Sequence, residues 1–215
     1  MDILRSLFPE NCFDNDIIIA HNLFMKENES KIINFLEKHD NNLTKIFIDN
    51  IDNLEYQDYE QFRLIHYICF HSTPEMIKYI IDKGVDLECQ EYDGWKPIHF
   101  ICRYSTPEMI EYIIDKGVDL EGENRYDGCE PIHYVCKYST PEMIKYMVDL
   151  DVDLSVENYS GDLPINYIKD DEIKGYVKAH MDYHSIDGND PYSNGYSMAQ
   201  KKLMSKPNKS ARTHQ

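Results

Sequence analysis

Between residues 93 and 121 the apolar positions fall twice into helical intervals. Ile98, Ile101 and Cys102 lie at i, i+3 and i+4 and line one face of a short helix. Met109, Ile110, Ile113 and Ile114 line one face of a longer one. The punctuation agrees with this pattern. Asp93-Gly94 is a turn signal, and Pro97 suits a first helical turn, where its missing N–H costs nothing. Ser105 or Thr106 caps the second helix, Pro107 enters its first turn, and Glu108 favours the positive end of its dipole. Gly117 supplies the positive φ that ends it. The predicted unit is turn, short helix, turn, longer helix, loop.

The start of the longer helix, Ser-Thr-Pro-Glu-Met-Ile, occurs at 72–77, 105–110 and 139–144, at intervals of 33 and 34 residues. A fixed period of roughly 20–50 residues signals stacked repeats. Burying each Ile or Met is worth roughly 1.5–3 kcal/mol, but only if a neighbouring helix pair lies against it. Near-identity of the copies follows, because each presents the same face to the next. A shift of 33 also lays 41–57 over 74–90, with a first helix expected around Ile32–Leu36. Residues 160–168 begin a further copy, whose second helix, at about 170–177, arrives early. The expected layout is a lead-in over 1–27 with further helix signals, a degenerate cap over 28–60, full repeats over 61–93, 94–127 and 128–160, a truncated cap over 161–182, and a disordered polar tail over 183–215.

The wording of these copies resembles the ankyrin repeat. That family's Asp-x-x-Gly-x-Thr-Pro-Leu-His signature is echoed at Glu91–His99 and Arg125–His133, and its Leu-Leu-x-x-Gly-Ala-Asp segment at Ile80–Asp86 and Ile113–Asp119. The third copy, Met147–Asp153, has Asp151 in place of the glycine, and Lys96 or Glu130 replaces the signature threonine. The phrasing is similar to the large ankyrin families of giant DNA viruses of amoebae and some protists. The resemblance implies an all-α solenoid of stacked helix-turn-helix units with short loop fingers. It also implies a histidine that ties each turn to its helices.

Net charge is −17, which argues against general nucleic-acid binding because phosphates would be repelled. Only the last twenty residues are basic, with Lys201, Lys202, Lys206, Lys209 and Arg212, a loose signal for targeting or an anionic surface. No apolar run approaches the ~20 residues that span a bilayer, and the N-terminus lacks a signal-peptide core. An intracellular setting, host cytoplasm or nucleus, is expected, with the six cysteines reduced.

His66, His99 and His133 recur beside Cys69, Cys102 and Cys136, which invites a metal reading. Geometry opposes it. Packed helices sit about 8–10 Å apart, too far for equivalent positions to share a zinc with bonds of about 2.0–2.3 Å. Disulfides between those cysteines fail for a similar reason, and Asn166 takes the histidine's place in the last copy. Phosphate-binding glycine loops, nucleophile elbows and His-Glu-x-x-His helices are absent, so neither catalysis nor a cofactor is expected.

A protein partner is expected instead. The resemblance implies contact at loop tips and along the exposed side of the short helices. The candidates are Tyr59, Phe62, Tyr92, Asp93, Trp95, Tyr126, Asp127 and Tyr159 on the loops, with Arg103, Tyr104, Lys137 and Tyr138 at helix ends. Tyr, Trp and Arg are enriched at binding hot spots. Trp95 and Phe62, just after the turn, are expected to project toward a partner, whereas the repeated tyrosines serve either a partner or the stack. The leading function is a non-enzymatic adaptor or host-factor binder whose partner surface is basic or mixed. The alternative is an assembly component that self-associates or docks in a larger complex.

Overall fold

A computed structural model describes residues 29–186, other than His39 and Asp52. The lead-in over 1–27, Cys12 and the basic stretch after Tyr196 lie outside the described residues. The described residues form nine α-helices and one 3-10 turn, with no strand beyond an isolated bridge between Gln57 and Arg63. The fold is all-α, built of repeated helix pairs. The chain divides at Tyr92 into two compact units.

The first unit contains α1 (Glu29–Lys38), α2 (Asn41–Asp49), α3 (Leu64–His71) and α4 (Pro74–Asp82). Within it α1 packs on α3, α2 on α4, and α3 on α4. Its core joins Phe35 and Phe47, with ring centroids 5.1 Å apart, to buried Ile32, Leu36, Ile65, Ile68, Met76 and Ile80. The degenerate first copy contains a helix pair, α1 and α2. Its turn is capped by Asp40, whose carboxylate accepts from the Leu43 N–H at 2.9 Å. Thr73 does the same for α4 and also donates to Asn41 Oδ1 at 2.9 Å, tying the starts of α2 and α4 together.

The second unit contains α5 (Pro97–Tyr104), α6 (Pro107–Asp115), α7 (Pro131–Tyr138), α8 (Pro141–Asp149), the 3-10 turn Pro164–Tyr167 and α9 (Asp171–Ile186). The short helices α5 and α7 and the 3-10 turn pack in sequence, and α9 packs on α8. Both expected stripes are buried: Ile98, Ile101 and Cys102 on α5, and Met109, Ile110, Ile113 and Ile114 on α6. Thr106 is the residue before α6 but makes no capping bond through its side chain, unlike Thr73 and Thr140. Gly117 stops α6 at φ +87°. Asp151 occupies the matching left-handed position at φ +54°, uncommon for a residue with a Cβ, and its carboxylate lies 3.4 Å from His180 Nε2 on α9. One boundary moves: α9 continues to Ile186, past the expected start of the tail at 183, anchored by buried Ile173 and Val177.

Candidate partner-binding surface

Three fingers are each built around one buried or half-buried acceptor. In the first unit Asp58 Oδ1 accepts from the N–H groups of Glu60 and Phe62, while Tyr67 donates its hydroxyl to Asp58 Oδ2 at 2.6 Å. In the second unit Asn124 Oδ1 accepts from Tyr126 and Asp127, and its amide donates to Asp127, to the Cys129 carbonyl and to Tyr134. Asn158 repeats this with Ser160, Asp162 and Tyr167. Sequence reasoning missed these braces. Their signal was present, since Asp58, Glu91, Asn124 and Asn158 recur with the period, as do Tyr67, Tyr134 and Tyr167.

Neighbouring fingers are laced by main-chain bonds. The Tyr92 N–H donates to Glu60 in the first unit, and Arg125 to Asp93 and Tyr159 to Asp127 in the second, at 2.8, 2.6 and 3.0 Å. The tips then reverse at Gly94, Gly128 and Gly161, with φ between +70° and +79°, and at Gln61, φ +65°. Gly128 is required twice over, because a Cβ there would lie 2.3 Å from Tyr159 Cδ1. This architecture leaves the repeated tyrosines outward. Tyr59, Tyr92, Tyr126 and Tyr159 are 60–70% exposed.

Trp95 behaves otherwise, and the expectation that it projects from the tip is corrected. It is 8% exposed. After the left-handed turn at Gly94 the chain folds back under the finger, so residue 95 faces the short helices. Its ring lies 5.0 Å from both Phe100 and Tyr134, with the Arg103 guanidinium 5.4 Å above it. Phe62, at the matching position, is half-buried against His66 and Tyr67, and Cys129 is buried. Asp93 is exposed, whereas Asp127 is half-buried and engaged internally. Burial by itself would raise the Asp127 carboxyl, but bonds from Asn124, the Cys129 N–H and Tyr134 hold it below the usual carboxylate range.

The histidines lock the finger to the helix. His99 Nδ1 accepts from the Lys96 N–H at 3.0 Å, which leaves Nε2–H to donate to the Gly122 carbonyl at 3.0 Å. His66 bridges Arg63 and Cys89, and His133 bridges Glu130 and Asp162, in the same sense. Asn166 Oδ1 accepts from the Leu163 N–H at 2.7 Å, so the amide preserves half of the device. Burial pushes His66 and His99 down to about 4 and lowers His133. With both ring nitrogens committed, these histidines have no lone pair to offer a metal. Among the described residues no three His, Cys, Asp or Glu are grouped to hold one. Cys69, Cys89, Cys102, Cys129 and Cys136 are buried free thiols, and burial raises each of them.

The helix-end candidates converge in the second unit. Arg103 stands within 5.0–5.8 Å of the Trp95, Tyr104, Tyr134 and Tyr138 ring centroids. Tyr134 and Tyr138 stack at 12°, and Lys137 lies 5.3 Å from the Tyr138 centroid and 5.0 Å from that of Tyr167. Tyr104 and Tyr138 are 46% and 48% exposed. Arg103, Tyr104, Lys137 and Tyr138 thus form one aromatic and cationic face.

A family pattern described as ankyrin repeats (3 copies) matches residues 3–124 and 65–158. The chain belongs to the ankyrin repeat family. A comparison with curated proteins finds no match. Ankyrin repeats are in general protein–protein interaction modules and typically carry no catalysis. The histidine device is therefore the lock that joins an ankyrin finger to its short helix. No helix among the described residues is long and apolar enough to cross a membrane.

Proposed function

We propose that this ankyrin repeat protein is a non-enzymatic interaction module that binds another protein through its finger tips and the exposed ends of its short helices. One observation carries the reading. The fold holds four tyrosines at the same finger position, each at least 60% exposed, with three of the tips braced by half-buried Asp58 and buried Asn124 and Asn158. Rigid aromatic groups lose little rotamer entropy on binding, which makes such tips efficient contacts. Tyr59, Tyr92, Asp93, Tyr126, Tyr159, Arg103, Tyr104, Lys137 and Tyr138 are the contact residues of this proposal, with Phe62 and Asp127 supporting them from half-buried positions. Trp95 serves as the platform beneath Arg103. The five described thiols support an intracellular site of action. The similarity of the repeat wording to giant-virus families supports a host protein as the partner.

The test is affinity capture with the full chain beside Tyr92→Ala/Tyr126→Ala. Both rings are exposed, so the double variant should melt like wild type while losing captured proteins by tenfold or more. An identical set of captured proteins on both baits would refute the finger-tip reading.

A further inference from the structure

The Arg103 face carries a further inference, resting on the interaction reading above: it names the chemistry of the partner. Arg103 presents five N–H donors, yet among the described residues it has no carboxylate and no hydrogen-bond acceptor. Four aromatic ring centroids lie 5.0–5.8 Å from it. Among the described residues Lys137 likewise has no ion pair, and it lies over two rings. Several other cations are held by acids. Arg63 is held by Glu55 and Asp86, Lys45 by Glu75, Lys83 by Asp49, and Lys96 by Asp119. In a protein with 39 acidic and 22 basic residues, these two cations lie over a shared ring instead of against an acid.

A guanidinium over aromatic faces is partly desolvated but stabilised by the ring quadrupoles. The rings also fix its plane, so its donors are presented without further loss of rotamer freedom. What such a group lacks is an acceptor. A carboxylate matches it with two parallel N–H···O bonds, and a second carboxylate suits Lys137 on the same Tyr138 ring. Exposed Tyr104 and Tyr138 then offer apolar contact and hydroxyls beside the charges. The net negative charge of the chain does not prevent this. Fields from distant acids are screened beyond about 8 Å at physiological salt, so the local cations decide what docks.

We propose that this face binds an acidic segment of a partner protein, one carrying two carboxylates in close succession flanked by apolar side chains. The occupant is opposite in sign to the basic or mixed partner that net charge alone suggests. Arg103 is its anchor, Lys137 the second contact, and Trp95 and Tyr134 hold Arg103 in place.

The experiment selects a displayed library of random dodecapeptides on the full chain, with Arg103→Gln, Lys137→Gln and Arg103→Lys as parallel targets. Wild type should enrich net-acidic peptides with paired Asp or Glu. The strongest of these, resynthesised, should bind Arg103→Gln at least tenfold more weakly and Lys137→Gln several-fold more weakly. Arg103→Lys should retain part of the affinity. Circular dichroism melts establish that each variant is folded, and if Arg103→Gln fails to fold, Lys137→Gln and Arg103→Lys carry the test. Neutral or basic consensus peptides, equal binding to all variants, or no enrichment at all would overturn the proposal. So would tighter binding of a dodecameric oligothymidylate that depends on Arg103, or sedimentation showing a dimer that Arg103→Gln dissolves. The first would put nucleic acid on this face and the second another copy of the chain. Failure here with finger-dependent capture intact would leave the interaction module standing and remove only the acidic ligand.

Discussion

Replacing Trp95 by alanine separates a scaffold tryptophan from a contact tryptophan. The indole is 8% exposed and packs between Phe100 and Tyr134, each 5.0 Å away, with Arg103 above it. Truncating a buried Phe or Trp to Ala typically costs about 3–5 kcal/mol, because transfer energy is lost and a cavity remains. Loss of the cation–π contact adds about 0.5–2 kcal/mol. A chain of this size shifts its melting temperature by roughly 2–4 °C per kcal/mol, so the expected drop is on the order of 10 °C. Thermal melts followed by far-ultraviolet circular dichroism measure the drop and urea unfolding the free energy, with Trp95→Phe as the milder control. Trp95 is also the only tryptophan, so wild-type emission reports its own environment and should be blue-shifted and weakly quenched by acrylamide. A Trp95→Ala variant that loses less than about 1 kcal/mol, the range of an ordinary surface substitution, would refute the packing argument.

Acid should unlock the fingers. His66 and His99, at about 4 in the fold and about 6.5 unfolded, favour the folded state fully above pH 6.5 and lose that contribution as pH falls toward 4, by about 2 kcal/mol each at pH 5. The gap in unfolding free energy between wild type and His99→Asn should therefore narrow from pH 7 to pH 5; an unchanged gap would contradict the assigned protonation. Glu130 has the opposite sign. Burial, then Asp153 and Glu121, raise it to about 7, so its ionisation opposes folding above about pH 4.5. Glu130→Gln should stabilise the protein by roughly 1–2 kcal/mol at pH 8, allowing for solvent screening, and by nothing near pH 4, measured by urea unfolding at both values. Gly128→Ala should destabilise clearly more than Gly161→Ala in thermal melts. Both sit at positive φ, which costs about 1 kcal/mol, but only at Gly128 would the Cβ collide with Tyr159. Equal effects would mean that the Tyr159 ring moves aside freely.

The helices, their order and the period were legible in the sequence because they rest on local physics. Apolar residues at i, i+3 and i+4, proline in a first turn and glycine after a last one act within a few residues of themselves. The same spacing carried the degenerate first pair, where Ile32, Phe47 and Ile48 keep the buried pattern after most other identities have changed. The histidine lock was legible only through the family resemblance, since its partners, Cys89 for His66 and Gly122 for His99, lie 23 residues along the chain. What tertiary structure decided was direction. Trp95 and Tyr92 flank the same Asp-Gly turn, and composition treats both as candidate contacts. The left-handed φ at Gly94 and the Arg125–Asp93 bond send one under the finger and leave the other in water. The ring cage of Arg103 has the same origin. It needs Tyr134 and Tyr138 from the next repeat, more than thirty residues away, and no local period places a guanidinium among four rings or leaves it without an acid. Hydrophobic periodicity selects which residues can be buried, while the packing of one repeat on the next selects which of them are, because only there do the two faces meet.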